Sequence, residues 1–185
     1  QDVAIMSTIP NLSIFNCSDA INTHTFAKMG YEKPGPKYFR IEKGMVPQLY
    51  KQESLFEDGI AKVKNGNDTY ILSSGLMVHK AIKAAQSLDG NGSEIGVLDL
   101  YRIKPVNENL LVEFLSDVKK LLIIEDNIAT GGICDKVNSI FMRSKLKIDI
   151  RSLNVPDMFS FNYSNKRDYV ESQSSLSVAH IVEIL

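Results

Sequence analysis

Hydrophobic and polar positions change period several times along this chain, and each change predicts an element. Between residues 76 and 88, Val78, Ala81, Ile82, Ala85 and Leu88 recur at helical spacing, with His79, Lys80, Lys83 and Gln86 outside the stripe. Residues 121–124 are instead four apolar side chains in succession, the pattern of a strand covered on both faces. Residues 95–100 read as another strand. Residues 147–151, where Ile148 and Ile150 alternate with charge, read as a half-covered strand near a sheet edge. A helix is expected around 109–115, after Pro105. Gly131-Gly132 opens another, with Ile133, Val137 and Ile140 on one face, and Ser177 caps a closing helix that turns Val178, Ile181, Val182 and Leu185 inward.

Upstream of these, Ile60, Ala61 and Val63 alternate with Lys62 and Lys64, and Asn65-Gly66 gives a strong hairpin signal ahead of residues 69–72. The first strand of this unit is therefore expected to run antiparallel to the second. Residues 1–46 read as a partial α/β piece. A brief helical segment starts at Asp2, Ile9-Pro10-Asn11 breaks it, and a strand covers 12–15. Ser18 or Asp19 caps a helix with Ala20, Thr23, Phe26 and Ala27 near one face; Gly30 is expected to end it before a turn at Pro34-Gly35-Pro36 and a strand over 38–41. Such a piece has too few strands for a core of its own and is expected to pack on something. The organisation read from the pattern is a partial α/β piece (1–46), a linker (47–56) and a three-layer α/β/α domain (57–185). The domain carries a mostly parallel five-stranded sheet whose first strand is antiparallel.

Composition narrows the picture. The 185 residues carry 21 basic and 22 acidic side chains, a formal charge of −1, which gives no bulk attraction to nucleic acid or an anionic membrane. No apolar run approaches the roughly 20 residues that span a bilayer. The opening Gln1-Asp2-Val3-Ala4 has no signal-peptide pattern and no initiator Met, so a fragment or processed chain is expected. Cys17 and Cys134 form no CxxC motif and read as buried, reduced thiols of a cytoplasmic protein.

Candidate chemistry is sparse. Gly90, Gly92 and Gly96 have the wrong spacing and position for a dinucleotide loop, and Ser73-Ser74-Gly75 lacks the frame of a nucleophile elbow. Glu125-Asp126-Asn127 with Gly131-Gly132 places acidic and amide groups at the carboxyl end of a buried strand, just before a helix N-terminus. Such an edge can hold an anion, yet these carboxylates would repel one, which favours a capping or domain-contact role. His24, His79 and His180 have no ligand-spaced partners and read as surface or interface residues. Arg40 and Lys43 flank a turn after a strand, where cations can clamp a phosphate; Gly44 beside Lys43 would let backbone approach it closely.

Taken in order, these residues resemble the C-terminal section of the transketolase family. Asp2-Val3-Ala4 leading to Ile9-Pro10-Asn11-Leu12, Asp19-Ala20, and Gly35-Pro36-x-Tyr38-x-Arg40 resemble the closing part of that family's pyrimidine-binding domain. Gly75-x-Met77-Val78 with Ala81, Ala84 and Ala85, then Asp99, Ile103-Lys104-Pro105, Glu125, Gly131-Gly132 and Val155-Pro156-Asp157-x-Phe159 resemble its C-terminal domain. The resemblance implies a transferase that moves two-carbon ketol units between sugar phosphates. It implies thiamine diphosphate and Mg2+ in the complete enzyme and none bound to this piece alone. It further implies an N-terminal section as partner, in the same polypeptide or a separate subunit, and a homodimer. Deoxyxylulose-phosphate synthase, the β-subunit of 2-oxoacid dehydrogenases and a non-catalytic dimerisation module are the alternatives. Carried across residue by residue, Lys43 falls where the family has a phosphate-binding arginine, and Arg40 matches a strand arginine in a supporting role. A lysine keeps the charge but not the bidentate fork.

Overall fold

The structure, a computed structural model of the chain, describes residues 2–42, 46–52, 54, 56–89, 94–159 and 175–185. Its larger sheet contains β3 (Ala61–Lys64), β4 (Thr69–Ser73), β5 (Ile95–Asp99), β7 (Lys120–Ile124) and β8 (Asp149–Leu153), in the order β3-β5-β4-β7-β8. All neighbours are parallel except β3, which runs antiparallel to β5. The period-2 alternation of the central strands sends side chains into two separate layers. Ile71, Ile95, Val97, Leu122 and Ile124 meet helix α3 (Met77–Leu88) and the closing helix α6 (Val178–Ile184) on one face. Tyr70, Leu72, Leu98, Leu121 and Ile123 meet α4 (Glu108–Phe114) and α5 (Ile133–Arg143) on the other. Three layers result, as the pattern predicts. Ser177 accepts from the His180 N–H as N-cap of α6, and β8 lies at the sheet edge.

The Asn65-Gly66 signal misleads. β3 does not form a hairpin with β4, because β5 lies between them. Gly66 is needed for proximity: a Cβ there would sit 2.0 Å from the backbone nitrogen of Gly96 on β5. The Tyr70 hydroxyl ties the crossing down, accepting from the Gly66 N–H and donating to the Gly66 carbonyl. The antiparallel first strand is therefore present, with a different partner.

The N-terminal piece contains α1 (Asp2–Ser7), β1 (Ser13–Asn16), α2 (Ala20–Glu32) and β2 (Lys37–Arg40), and β1 and β2 pair in parallel around the α2 crossover. A strand the pattern does not announce, β6 (Arg102–Lys104), pairs antiparallel with β1 and completes a sheet of order β2-β1-β6. Packing seals the join. Val3, Leu12 and Ile14 belong to the same apolar cluster as Leu98, Leu111 and Val137. Phe15 and Phe26 instead build an aromatic cluster with Phe56 and Tyr101, with neighbouring ring centroids 5.0–5.7 Å apart.

Helix α2 departs from its expected face and end. Its buried residues are Asn22 and Phe26, and Ala20 and Ala27 are exposed. Asn22 is buried because it serves the cap: the Asp19 side chain accepts from the Asn22 N–H, and Asn22 Oδ1 accepts in turn from the Asp19 N–H. Gly30 does not stop the helix, which runs on to Glu32; a Cβ there would lie 2.9 Å from the Phe39 ring.

Gly66→Ala is expected to lower the stability of the chain by about 1–3 kcal/mol through overpacking against β5. Asn65→Ala should change it by no more than about 0.5 kcal/mol. Urea unfolding of both variants separates this from a hairpin turn, in which Asn65 would matter as well.

Candidate functional site

Carboxyl ends of strands from both sheets converge on one junction. Asn16 leads β1 into Cys17, Ser18 and Asp19, and Arg40 closes β2. Ser73 and Asp99 close β4 and β5, and Glu125-Asp126-Asn127 follow β7. Asn16, Ser18, Asp19, Ser73, Ser74, Asp99, Glu125 and Asn127 are all buried. Buried polar groups need partners, and those partners define what the junction can do.

Arg40 holds the two sheets together. Its guanidinium donates to both Asp126 carboxylate oxygens at 3.0–3.1 Å and to Asp2 Oδ2 at 3.1 Å, and its Nη1 lies 3.0 Å from Glu42. Burial opposes the Arg40 charge, but Asp126, Glu42 and Asp2 together raise its pKa above the ordinary value. Burial likewise acts against the Asp2 carboxylate, yet Arg40 and the Tyr38 hydroxyl hold its pKa below the usual range. Of the two cations singled out in the sequence, Arg40 thus sits among three carboxylates. Lys43, with Gly44, lies outside the described residues, as do Gly90 and Gly92.

Glu125 settles the question raised by Gly131-Gly132. Its carboxylate accepts from the Ile133 N–H at 2.8 Å and the Cys134 N–H at 3.1 Å, at the start of α5, and from the Asn154 amide at 2.7 Å. The protein's own anion occupies the helix N-terminus, which is the capping role. Gly132 is required there, since a Cβ would stand 2.3 Å from Glu125 Oε2. Burial raises the Glu125 pKa to about 7 despite these donors.

Asp99 is fully buried. Its Oδ2 accepts from Ser18 Oγ at 2.5 Å and from the Tyr50 hydroxyl at 2.7 Å. Burial raises its pKa to about 7, against the pull of those two hydroxyls. His79 donates through Nε2 to the Ser18 carbonyl at 2.6 Å; a carbonyl only accepts, so that nitrogen carries the proton. His79 is thus an interface residue, His180 pairs with Glu183, and His24 is exposed. Asp19 works twice: Oδ1 caps α2, and Oδ2 accepts from the N–H groups of Leu49 and Tyr50 at 2.8 Å each. Ser18, Tyr50 and Asp99 escaped the sequence reading as a constellation because they lie in three separate segments with no shared motif.

Among the described residues no group of three or more His, Cys, Asp or Glu side chains could hold a metal ion, and the N–H groups at the start of α5 are taken. The described residues of the junction do not make a diphosphate and metal site. Cys17 and Cys134 are both free and buried, and burial pushes the Cys17 thiol up to about 11.

An α/β/α unit with a mostly parallel sheet, joined through Arg40 and Asp99 to a smaller three-stranded α/β unit, defines the class of protein. Residues 59–181 match the family model described as transketolase, C-terminal domain, and the chain belongs to that family. A transketolase family protein of Sinorhizobium fredii is 34% identical over 163 residues, covering 86% of this chain and 47% of that protein. One subunit of an apulose-4-phosphate transketolase of Phocaeicola vulgatus is 27% identical, covering 85% of this chain and 50% of its own length. A split-gene transketolase solved as an inactive beta4 tetramer superposes with a TM-score of 0.90 at 27% identity, covering 98% of this chain and 59% of that one. The chain spans about half the length of these relatives.

Two outcomes test the junction. Arg40→Ala is expected to destabilise the chain by about 1–3 kcal/mol, because it removes the cation shared by three partly buried carboxylates, and Arg40→Lys should recover less than half of that. Urea unfolding at neutral pH reads both. For Asp99, the folded pKa lies above the ordinary value near 4, so its stabilising contribution is complete below that value and is lost as pH rises through about 7. Asp99→Asn should therefore flatten the decline of stability between pH 5 and 8, by on the order of 2 kcal/mol.

Proposed function

We propose that this chain is the C-terminal part of a transketolase-type enzyme that moves a two-carbon ketol unit between sugar phosphates in concert with an N-terminal section. The observation that carries the reading is the naming of relatives that match most of its length: one is a single subunit of a transketolase, and another is the product of a split transketolase gene. Residues 1–46 are read as the end of a pyrimidine-binding domain, 47–56 as the linker and 57–185 as the C-terminal domain. The working enzyme is read as a cytoplasmic homodimer.

Thiamine diphosphate with Mg2+, held by the upstream sections, supplies the carbanion chemistry when bound. This chain's part is orientation and charge. Lys43 is proposed to meet the substrate phosphate as a point charge. Arg40, anchored between Asp2 and Asp126, is proposed to fix the end of β2 from which Lys43 follows. Arg40 is thus a positioning residue.

The test mixes the full polypeptide that carries these residues with a transketolase N-terminal section, thiamine diphosphate and Mg2+, and follows ketol transfer from a ketose phosphate to an aldose phosphate. Turnover is expected only when both sections are present. Lys43→Ala is expected to raise KM for phosphorylated acceptors about tenfold or more, with a smaller effect on kcat. Turnover by the 185 residues alone, or no transfer with any N-terminal section, would overturn the reading; the latter would favour the dimerisation module.

A further inference from the structure

Lys136 is placed against local electrostatics. It lies in the first turn and a half of α5, where the helix dipole disfavours a cation. It is only partly exposed, and among the described residues its ammonium has no hydrogen-bond or ion-pair partner. Desolvation and the neighbouring Lys104 lower its pKa, against the attraction of Glu125 and Asp135. Residues placed against local preference concentrate at functional sites.

The surroundings supply the rest of a site. Lys136 lines a groove of about 430 Å3 between β6, α4 and α5, together with Ser7, Lys104, Ser139 and Arg143. That volume lies within the range of about 300–1,000 Å3 typical of small-molecule pockets. Lys104 donates to the carbonyls of Ser7 and Ile9 at 2.9 and 2.6 Å, neutral acceptors that leave its charge uncompensated and, among the described residues, its third N–H free. Ser139 Oγ accepts from Arg143, so its own O–H is available to donate. The two carboxylates in the lining are both engaged. Glu108 takes Arg143 at 3.0 Å, and Asp135 accepts the Gly131 N–H at 2.7 Å.

We propose that this groove binds a small phosphomonoester, with Lys136 and Lys104 neutralising the phosphate dianion and the Ser139 hydroxyl donating to one of its oxygens. A dianion suits the site better than a monovalent carboxylate because it meets two ammonium groups that otherwise repel each other. Such binding is compatible with any reaction of the whole enzyme.

Competitive amine labelling of the full polypeptide, read by peptide mass spectrometry, tests it with inorganic phosphate, glycerol 1-phosphate and glycerol as separate probes. Glycerol 1-phosphate at about 10 mM, a concentration suited to millimolar affinity, is expected to slow labelling of Lys136 at least threefold and of Lys104 less. Exposed Lys119, which pairs with Asp68, should not change. Glycerol should protect nothing, and inorganic phosphate should protect more weakly than the ester. Lys136→Ala should weaken glycerol 1-phosphate binding about tenfold or more by calorimetry, and Lys136→Arg should retain most of it. Protection by inorganic phosphate equal to that by the ester would reduce the site to an anion hole. Lack of protection, or equal binding by parent and Lys136→Ala, would overturn the proposal. If Lys136 serves only to balance the buried Glu125, then Glu125→Gln alone should change its labelling rate while neither phosphate probe does.

Discussion

One extended stretch of backbone belongs to both sheets. Ile95–Asp99 is the central partner of β3 and β4, and three residues later Arg102–Lys104 is the third strand of the N-terminal sheet. The segment between them, Leu100-Tyr101, is buried, and Asn16 of β1 donates its backbone N–H to the Tyr101 carbonyl. Because the sheets share a covalent run, their relative placement is set by a few backbone torsions rather than by side-chain packing alone. Every polar contact at the junction, from Arg40 to Asp99, depends on that placement.

Carboxylates then perform the work that bound ligands perform in many open α/β sheets. The crevice at the carboxyl ends of such strands is the usual ligand position. Here Glu125 fills the helix N-terminus beside β7, and Asp99 at the end of β5 receives the Ser18 and Tyr50 hydroxyls. Both are held near neutrality in their titration by burial. The domain has kept the architecture of a binding fold and has used its customary binding edge as an internal seam.

Much of this was legible along the chain, for a physical reason. Helix stripes such as Val78–Ala81–Ala85 and double-faced strands such as Leu121–Ile124 arise from short-range periodicity, and a linear sequence displays that directly. Strand neighbours are a different matter. Asn65-Gly66 has the chemistry of a turn, but nothing local says that β5 will enter between the flanking strands, and the same glycine satisfies a close approach instead. At three residues, β6 is too short to carry a period. The capping reading of Glu125 was accessible because like charges and helix dipoles act over a few residues. The clustering of Ser18, Tyr50 and Asp99 was not, since |i−j| reaches 81.

Asp19 carries the last consequence. One oxygen closes the start of α2 and the other receives the amides of Leu49 and Tyr50, in the stretch between β2 and β3. Fraying at the helix start would pull the carboxylate away from the connecting stretch, and lifting that stretch would loosen the cap. Local opening around Leu49 and Tyr50 is thereby cooperative: an irregular stretch, ordinarily among the first parts of a protein to breathe, is obliged to share the opening energy of a helix.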